Sequence, residues 1–242
     1  LLWLAEGLKF TVSGVGNVPK TGPGVVAVNH TGYMDFTYAG IPAFLQGRRK
    51  VRFMAKKEVF DNKIAGPLMR GMKHIPVDRH AGQGAIEAGL AAVRAGEIVG
   101  IFPEATMSRS FELKPFKGGA ARIARDGGVP LLPTTLWGSQ RVWTKDAPKH
   151  RLRSNTPIHI TVGQPLHLAA DADLNEATEQ LRLAMAGQLA AQQAAYPRMT
   201  GDDLRYLPAR LGGTAPTPEQ AHERDHPDMT RRVDKFHRGS SS

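Results

Sequence analysis

Seven short apolar runs, at residues 10–12, 25–28, 52–55, 74–77, 98–102, 131–136 and 158–162, are mostly separated by segments of helical spacing. Runs this short and rich in valine, isoleucine and leucine read as buried strands. Between them, residues 83–95 place Ile86, Leu90 and Val93 on one helical face, and residues 174–195 do the same with Leu181, Met185 and Leu189. Strands alternating with helices imply an α/β fold with a mixed, mostly parallel central sheet flanked by helices. No internal repeat is visible. The expected division is a domain over residues 1–196 and a polar, proline-rich tail over residues 197–242, which contains Thr214-Ala215-Pro216-Thr217-Pro218. Such a tail is expected to be extended or disordered, wrapping the body at most.

Two polar segments sit at the ends of apolar runs, where α/β proteins build their sites. One is Asn29-His30-Thr31-Gly32-Tyr33-Met34-Asp35 and the other is Phe102-Pro103-Glu104-Ala105-Thr106-Met107-Ser108-Arg109. On one continuous helix, His30 and Asp35 would lie roughly 140° apart, so they cannot share a helical face. The spacing instead predicts a strand over residues 25–28, a turn at Thr31 and Gly32 able to cap a helix, and a helix over residues 36–45. Asp35 in the first helical turn then folds back onto the imidazole. A carboxylate bonded to one ring nitrogen fixes the tautomer and leaves the other nitrogen to accept a proton, which makes a general base.

The chain has no cysteine, which excludes a thiol nucleophile and a thiolate metal site. It also has no Gly-x-Ser-x-Gly turn, and Gly138-Ser139-Gln140 is only a weak echo of one. The economical scheme has His30 deprotonating a substrate hydroxyl that attacks an acyl donor directly, with no covalent intermediate. Backbone amides near the first turn are candidate donors to the developing oxyanion.

Four blocks in order resemble the glycerolipid acyltransferases, whose best known members are the lysophosphatidate acyltransferases of PlsC type. They are Asn29-His30 to Asp35 (a His-x4-Asp motif), His74-Ile75-Pro76-Val77-Asp78-Arg79, Phe102-Pro103-Glu104-x-Thr106, and Val129-Pro130-Leu131-Leu132-Pro133. The resemblance spans roughly residues 10–163. It implies that His30 is the base and Asp35 its orienting partner, that Glu104 and Thr106 belong to the acceptor site, and that Arg79 and Arg109 bind phosphate. Lys117 adds charge where an alanine-rich helix begins. A guanidinium suits phosphate because its planar fork gives bidentate contacts. Pro103-Glu104-Ala105-Thr106 is also turn-like, so a structural reading of Glu104 and Thr106 stands beside the substrate one. The third block departs from the family's usual Phe-Pro-Glu-Gly-Thr-Arg-Ser, with Ala105 in place of the glycine and Met107 in place of the arginine.

The resemblance implies transfer of a fatty acyl group from acyl-CoA or an acyl carrier protein to lysophosphatidate, giving phosphatidate, without a cofactor or metal. The alternatives are another lysophospholipid or phosphorylated polyol as acceptor, a hydrolase in which His30 activates water, and a basic membrane-binding module without catalysis.

The net charge is +10, and residues 1–196 carry +9 of it. Between Arg48 and Lys73 nine basic residues face only Glu58 and Asp61, with Phe53, Met54, Val59, Phe60, Ile64, Leu68 and Met69 among them. That mixture suits a surface that meets anionic headgroups while dipping into a bilayer. Nucleic acid is a poor fit, because aromatic residues make up 7% of the chain and no recognition motif appears. No run of eighteen apolar residues exists to span a bilayer. The expected location is therefore peripheral, at the cytoplasmic face of the cell membrane. The chain begins without methionine, so an anchoring segment upstream of Leu1 is one expected means of attachment.

Overall fold

The computed structural model describes residues 6–78, 82–148 and 154–225. Along the chain run β1 (Lys9–Ser13), β2 (Gly24–Val28), α1 (Asp35–Tyr38), α2 (Ile41–Gly47), β3 (Val51–Lys56), α3 (Lys57–Phe60), α4 (Ala65–Gly71) and β4 (Ile75–Val77). They are followed by α5 (Gly82–Arg94), β5 (Ile98–Ile101), α6 (Gly119–Gly127), β6 (Leu131–Trp137), β7 (Pro157–Val162) and α7 (Leu174–Ala195). The strands form one sheet in the order β1-β7-β6-β2-β5-β3-β4. Every neighbouring pair is parallel except β6 and β7. All seven apolar runs are strands of this sheet, and the architecture is the mixed, mostly parallel α/β fold expected.

β2 is buried along its whole length because both faces of the sheet are covered. Val26 and Val28 point to one face, into a cluster with Tyr38, Ala43, Phe53, Leu132 and Ile160. Val25 and Ala27 point to the other, against Val93 of α5, Ile123 of α6 and Leu181 and Met185 of α7. Each valine, leucine, isoleucine, phenylalanine or methionine among them taken fully out of water contributes about 1.5–3 kcal/mol. Helix α7 starts where the Asp173 carboxylate accepts the N–H groups of Asn175 and Glu176, two donors that the helix itself leaves unpaired.

The single helix expected over residues 36–45 is two helices. Proline lacks an N–H and is tolerated only in a first turn, so Pro42 starts α2 instead of continuing α1. The basic stretch also splits. Phe53, Phe60 and Met69 are buried in the core, whereas Val59, Ile64 and Leu68 are exposed, as are Phe44 and Leu45 of α2. Arg49, Arg52 and Arg70 turn onto backbone carbonyls of Gly96, Met72 and Phe60 respectively, so they serve the fold. Lys50, Lys57, Lys63 and Lys73 are exposed.

Residues 197–225 are packed on the body, so of the expected alternatives this part of the tail takes the wrapping one and not the disordered one. Short 3-10 turns at Gly201–Tyr206 and Ala209–Leu211 precede a helical segment at residues 218–225. Met199, Tyr206 and Ala215 insert among Phe111, Trp137, Leu189 and Tyr196. These anchors are spaced irregularly between prolines and glycines, so no periodicity announces them. Among the described residues no helix is long and apolar enough to cross a membrane.

Candidate active site

β6, β2 and β5 are adjacent and parallel, so their carboxyl ends lie side by side. The loops that leave them, at residues 29–34, 102–118 and 138–148, therefore meet at one edge of the sheet. Asn29 extends the β2–β6 ladder by one side-chain rung. Its amide oxygen accepts the Leu136 N–H at 2.7 Å and its amide nitrogen donates to the Leu136 carbonyl at 3.0 Å. That rung fixes the direction in which His30 leaves the sheet.

His30 Nδ1 lies 3.0 Å from Asp35 Oδ2, and the Asp35 side chain is sealed from solvent. The same oxygen accepts the N–H groups of Thr31 at 2.7 Å and Gly32 at 2.8 Å. The turn therefore does not cap α1 as expected. The carboxylate of α1 instead gathers the turn, and with it the imidazole. Gly32 is needed for this closeness, since a Cβ there would stand 3.0–3.2 Å from Ser139 O, Trp143 O and Asp35 Oδ1. The His30 ring stacks on Phe102 at 4.1 Å between centroids, and Phe102 stacks on Phe53 at 5.2 Å. Among the described residues the bond that the His30 ring makes is at Nδ1, which leaves Nε2 open, and the side chain is 19% exposed. An imidazole held by a carboxylate at one nitrogen and open at the other can remove a proton from an incoming hydroxyl.

Glu104 is buried beneath this turn. Its two oxygens accept the backbone N–H groups of His30 at 2.8 Å and Lys114 at 3.0 Å. Burial pushes its carboxyl up to about 8, against the opposing pull of those two donors and of the Lys114 charge. Each oxygen accepts one backbone N–H, so Glu104 braces two loops. Four backbone amides of the first turn are engaged within the protein. The N–H groups of His30, Thr31, Gly32 and Tyr33 go to Glu104, Asp35, Asp35 and the Trp143 carbonyl.

Residues 9–137, more than half of the chain, match the sequence pattern of the family described as Acyltransferase. The chain belongs to the acyltransferase family. It is 33% identical over 159 residues to the 1-acyl-sn-glycerol-3-phosphate acyltransferase of Bacillus subtilis (strain 168), covering 65% of this chain and 74% of that one. It is 30% identical over 151 residues to the protein of the same name from Borreliella burgdorferi, covering 60% of this chain and 57% of that one. A third relative, the chloroplastic BAT2 enzyme of Brassica napus, is 26% identical, and the match covers 72% of this chain and 52% of that one. The chain thus spans little more than half the length of the latter two. The fold matches the crystal structure of the 1-acyl-sn-glycerophosphate acyltransferase PlsC from Thermotoga maritima, with a TM-score of 0.64, 22% identity and coverage of 80% of this chain and 76% of that one.

Both departures from the family's third block have visible consequences. Ala105, standing in place of glycine, has φ of 60°, a left-handed conformation that a Cβ disfavours. Relief of about 1–2 kcal/mol, less about 0.5–1 kcal/mol for the extra freedom of glycine in the unfolded chain, gives Ala105→Gly a net gain of about 0.5–1 kcal/mol. Thermal or urea unfolding of that variant reads the gain, and a lower melting temperature would show that the turn carries no strain. Met107, standing in place of arginine, is buried beside Thr144, whose hydroxyl donates to the Thr31 carbonyl at 2.6 Å.

The remaining expected site residues fall in different places. Thr106 Oγ1 accepts from Lys114 Nζ at 2.8 Å. Arg109 is paired with Asp225 at 2.9 Å and with Asp146, so its guanidinium is already engaged by carboxylates. Lys117 is exposed just before α6 and donates its backbone N–H to the Pro103 carbonyl. Arg79 lies outside the described residues, immediately after the end of the described segment at Asp78. Sequence reasoning missed Lys114, Lys145 and Asp225, which cluster with Arg109. A lysine five residues beyond Arg109 carried no spacing signal, and Asp225 is remote in sequence.

Proposed function

We propose that this acyltransferase moves a fatty acyl group from acyl-CoA or an acyl carrier protein to the free hydroxyl of lysophosphatidate, producing phosphatidate. The observation that carries the reading is the His30 Nδ1 to Asp35 Oδ2 bond of 3.0 Å, with Nε2 left to face an acceptor. His30 takes the hydroxyl proton as the oxygen attacks the thioester carbonyl. The tetrahedral adduct then expels the thiolate, which receives that proton from the imidazolium. Asp35 holds the ring in the Nδ1–H tautomer and stabilises it while charged. The relatives named 1-acyl-sn-glycerol-3-phosphate acyltransferases support lysophosphatidate as acceptor. Met107 in the third block keeps a different lysophospholipid or phosphorylated polyol as the second reading.

Incubation with acyl-CoA and a panel of lysophospholipids, followed for ester product and free CoA, tests this. Ester formation with lysophosphatidate preferred is the expected result. Free fatty acid alone would make the protein a hydrolase, and silence with every acceptor would leave a binding module.

The same proposal places the protein at the cytoplasmic face of the membrane as a peripheral enzyme. Ile64 is 87% exposed and Leu68 57% exposed, next to Lys57, Lys63 and Lys73. Apolar side chains beside solvated lysines suit an interface of headgroups and acyl chains, where each cation contributes about 1 kcal/mol. An Ile64→Glu/Leu68→Glu double variant is expected to lose at least tenfold in affinity for anionic phosphatidylglycerol vesicles in a sedimentation assay. Unchanged binding would move the contact surface elsewhere.

A further inference from the structure

The end of α7 and the segment that follows it enclose a cleft of about 680 Å³. That size falls within the range of about 300–1,000 Å³ found for small-molecule sites. Trp137, Met199, Leu204 and Leu207 make its inner part apolar, and the exposed Arg198 and Arg210 stand at its rim. We infer that the cleft binds a single-chain anionic amphiphile, an acyl chain ending in a carboxylate or phosphate, at a site separate from His30. No step of acyl transfer passes through it, so the inference stands whichever acceptor the enzyme uses.

Strand geometry separates the two places. Successive side chains of β6 point to opposite faces of the sheet. Leu136 enters the cluster that contains Phe53 and packs against Phe102, the rings stacked beneath His30. Trp137, the next residue, points the other way and packs with Leu189, Tyr196, Met199 and Tyr206. A chain seated against Trp137 therefore has the sheet between it and the His30 stack. Except for Trp137 itself, the cleft is built from residues beyond 137, where the family match ends.

The apolar wall is made for a chain. Ala190 and Ala194 lie one turn apart on the same side of α7, and both are exposed there. Their methyl groups leave open the space that larger side chains would fill. Opposite them the segment after Tyr196 brings Met199, Leu204 and Leu207, and then Leu211, which is 39% exposed. An acyl chain laid along this wall removes apolar surface from water that the protein's own packing leaves wet.

The polar end selects the charge. Arg210 is engaged within the protein, by Glu112 at 2.5 Å and by the Gln193 Oε1, to which it donates at 2.6 Å. Arg198 has no ion pair among the described residues, and no carboxylate side chain lines the cleft. A guanidinium without a counter-ion at the mouth of an apolar cleft complements an anion carried on a chain and repels a cation. Gln193 adds a second polar group. The bond from Arg210 identifies its oxygen, so its other terminal atom is the Nε2 donor, which is sealed and lacks an acceptor. A buried donor left unmade is costly, and a ligand oxygen is the acceptor that this wall lacks.

The test uses the full chain and cis-parinarate, a fluorescent long-chain carboxylate. Titration is expected to show saturable binding to the parent, weakened at least tenfold by Arg198→Glu, which reverses the rim charge, and by Ala194→Trp, which fills the cleft. Both positions are exposed, so both variants should melt cooperatively, and each should keep the parent's kcat and its KM for acyl-CoA. Laurate and lysophosphatidate as competitors distinguish a free fatty acid from a lysophospholipid as the source of the anion, and displacement by either supports the site. Dodecanol, which has the chain without the charge, should compete at least tenfold more weakly than laurate. Parinarate binding unchanged in both variants overturns the site, and displacement by dodecanol as readily as by laurate overturns the anionic ligand. A KM for acyl-CoA that rises in step with the loss of parinarate binding would join the cleft to the catalytic site and overturn its separateness.

Discussion

Replacement of His30 by alanine is expected to lower kcat about 1,000-fold, or roughly 4 kcal/mol at the transition state, the range for losing a positioned general base. The KM values for donor and acceptor should change little, because the ring is assigned a proton transfer and no contact that anchors either substrate. The fold should survive as well. The ring is 19% exposed, and its stacking partner Phe102 remains packed on Phe53. His30→Gln offers an amide near the Asp35 carboxylate but no basic nitrogen, so it should be as inactive as alanine. Ester formation by either variant within tenfold of the parent would remove His30 from the chemistry and with it the direct-transfer scheme.

Asp35→Asn is expected to cost about 1,000- to 10,000-fold in kcat, because a neutral amide cannot stabilise the imidazolium that forms as the proton moves. Asp35→Ala should cost stability in addition. The Thr31 and Gly32 N–H groups both end on Asp35 Oδ2, and leaving each of them buried without an acceptor costs about 1–3 kcal/mol. The two substitutions therefore separate the roles of one side chain. Asparagine should retain most of the melting temperature while losing activity, and alanine should lose both. If Asp35→Asn retained activity, the carboxylate would be a structural clip and not the orienter of a base.

Much of the fold is legible before any coordinates. The central strands announce themselves because a strand covered on both faces must be apolar at nearly every position, as Gly24–Val28 shows. The 22-residue α7 is equally plain, since Leu181, Met185 and Leu189 repeat at the helical period on its buried side. The His30–Asp35 pair follows from local geometry. Five residues with a turn between them can meet, and without one they cannot.

Other elements follow no local rule. The break between α1 and α2 depends on Pro42, whose effect competes with an otherwise continuous apolar pattern. Phe60 and Ile64 look alike in sequence, yet one is 6% and the other 87% exposed, because the packing of α3 and α4 on the sheet selects which side faces inward. Glu104 reads as well for a substrate ligand as for a brace. Only the placement of the His30 and Lys114 N–H groups on its two oxygens reveals the brace.

Local sequence fixes what depends on neighbours a few residues apart: seven short apolar strands, two clear amphipathic helices, and an imidazole able to meet a carboxylate across a turn. Tertiary structure alone decided what depends on distant segments arriving at one point. Arg109, Lys114, Lys145 and Asp225 share no period or motif. They meet because β5 and β6, which flank β2, end at the same edge of the sheet and the segment at residues 197–225 packs back across the body. Coulomb attraction acts through space and is indifferent to separation along the chain, so such a cluster leaves no trace in a linear pattern.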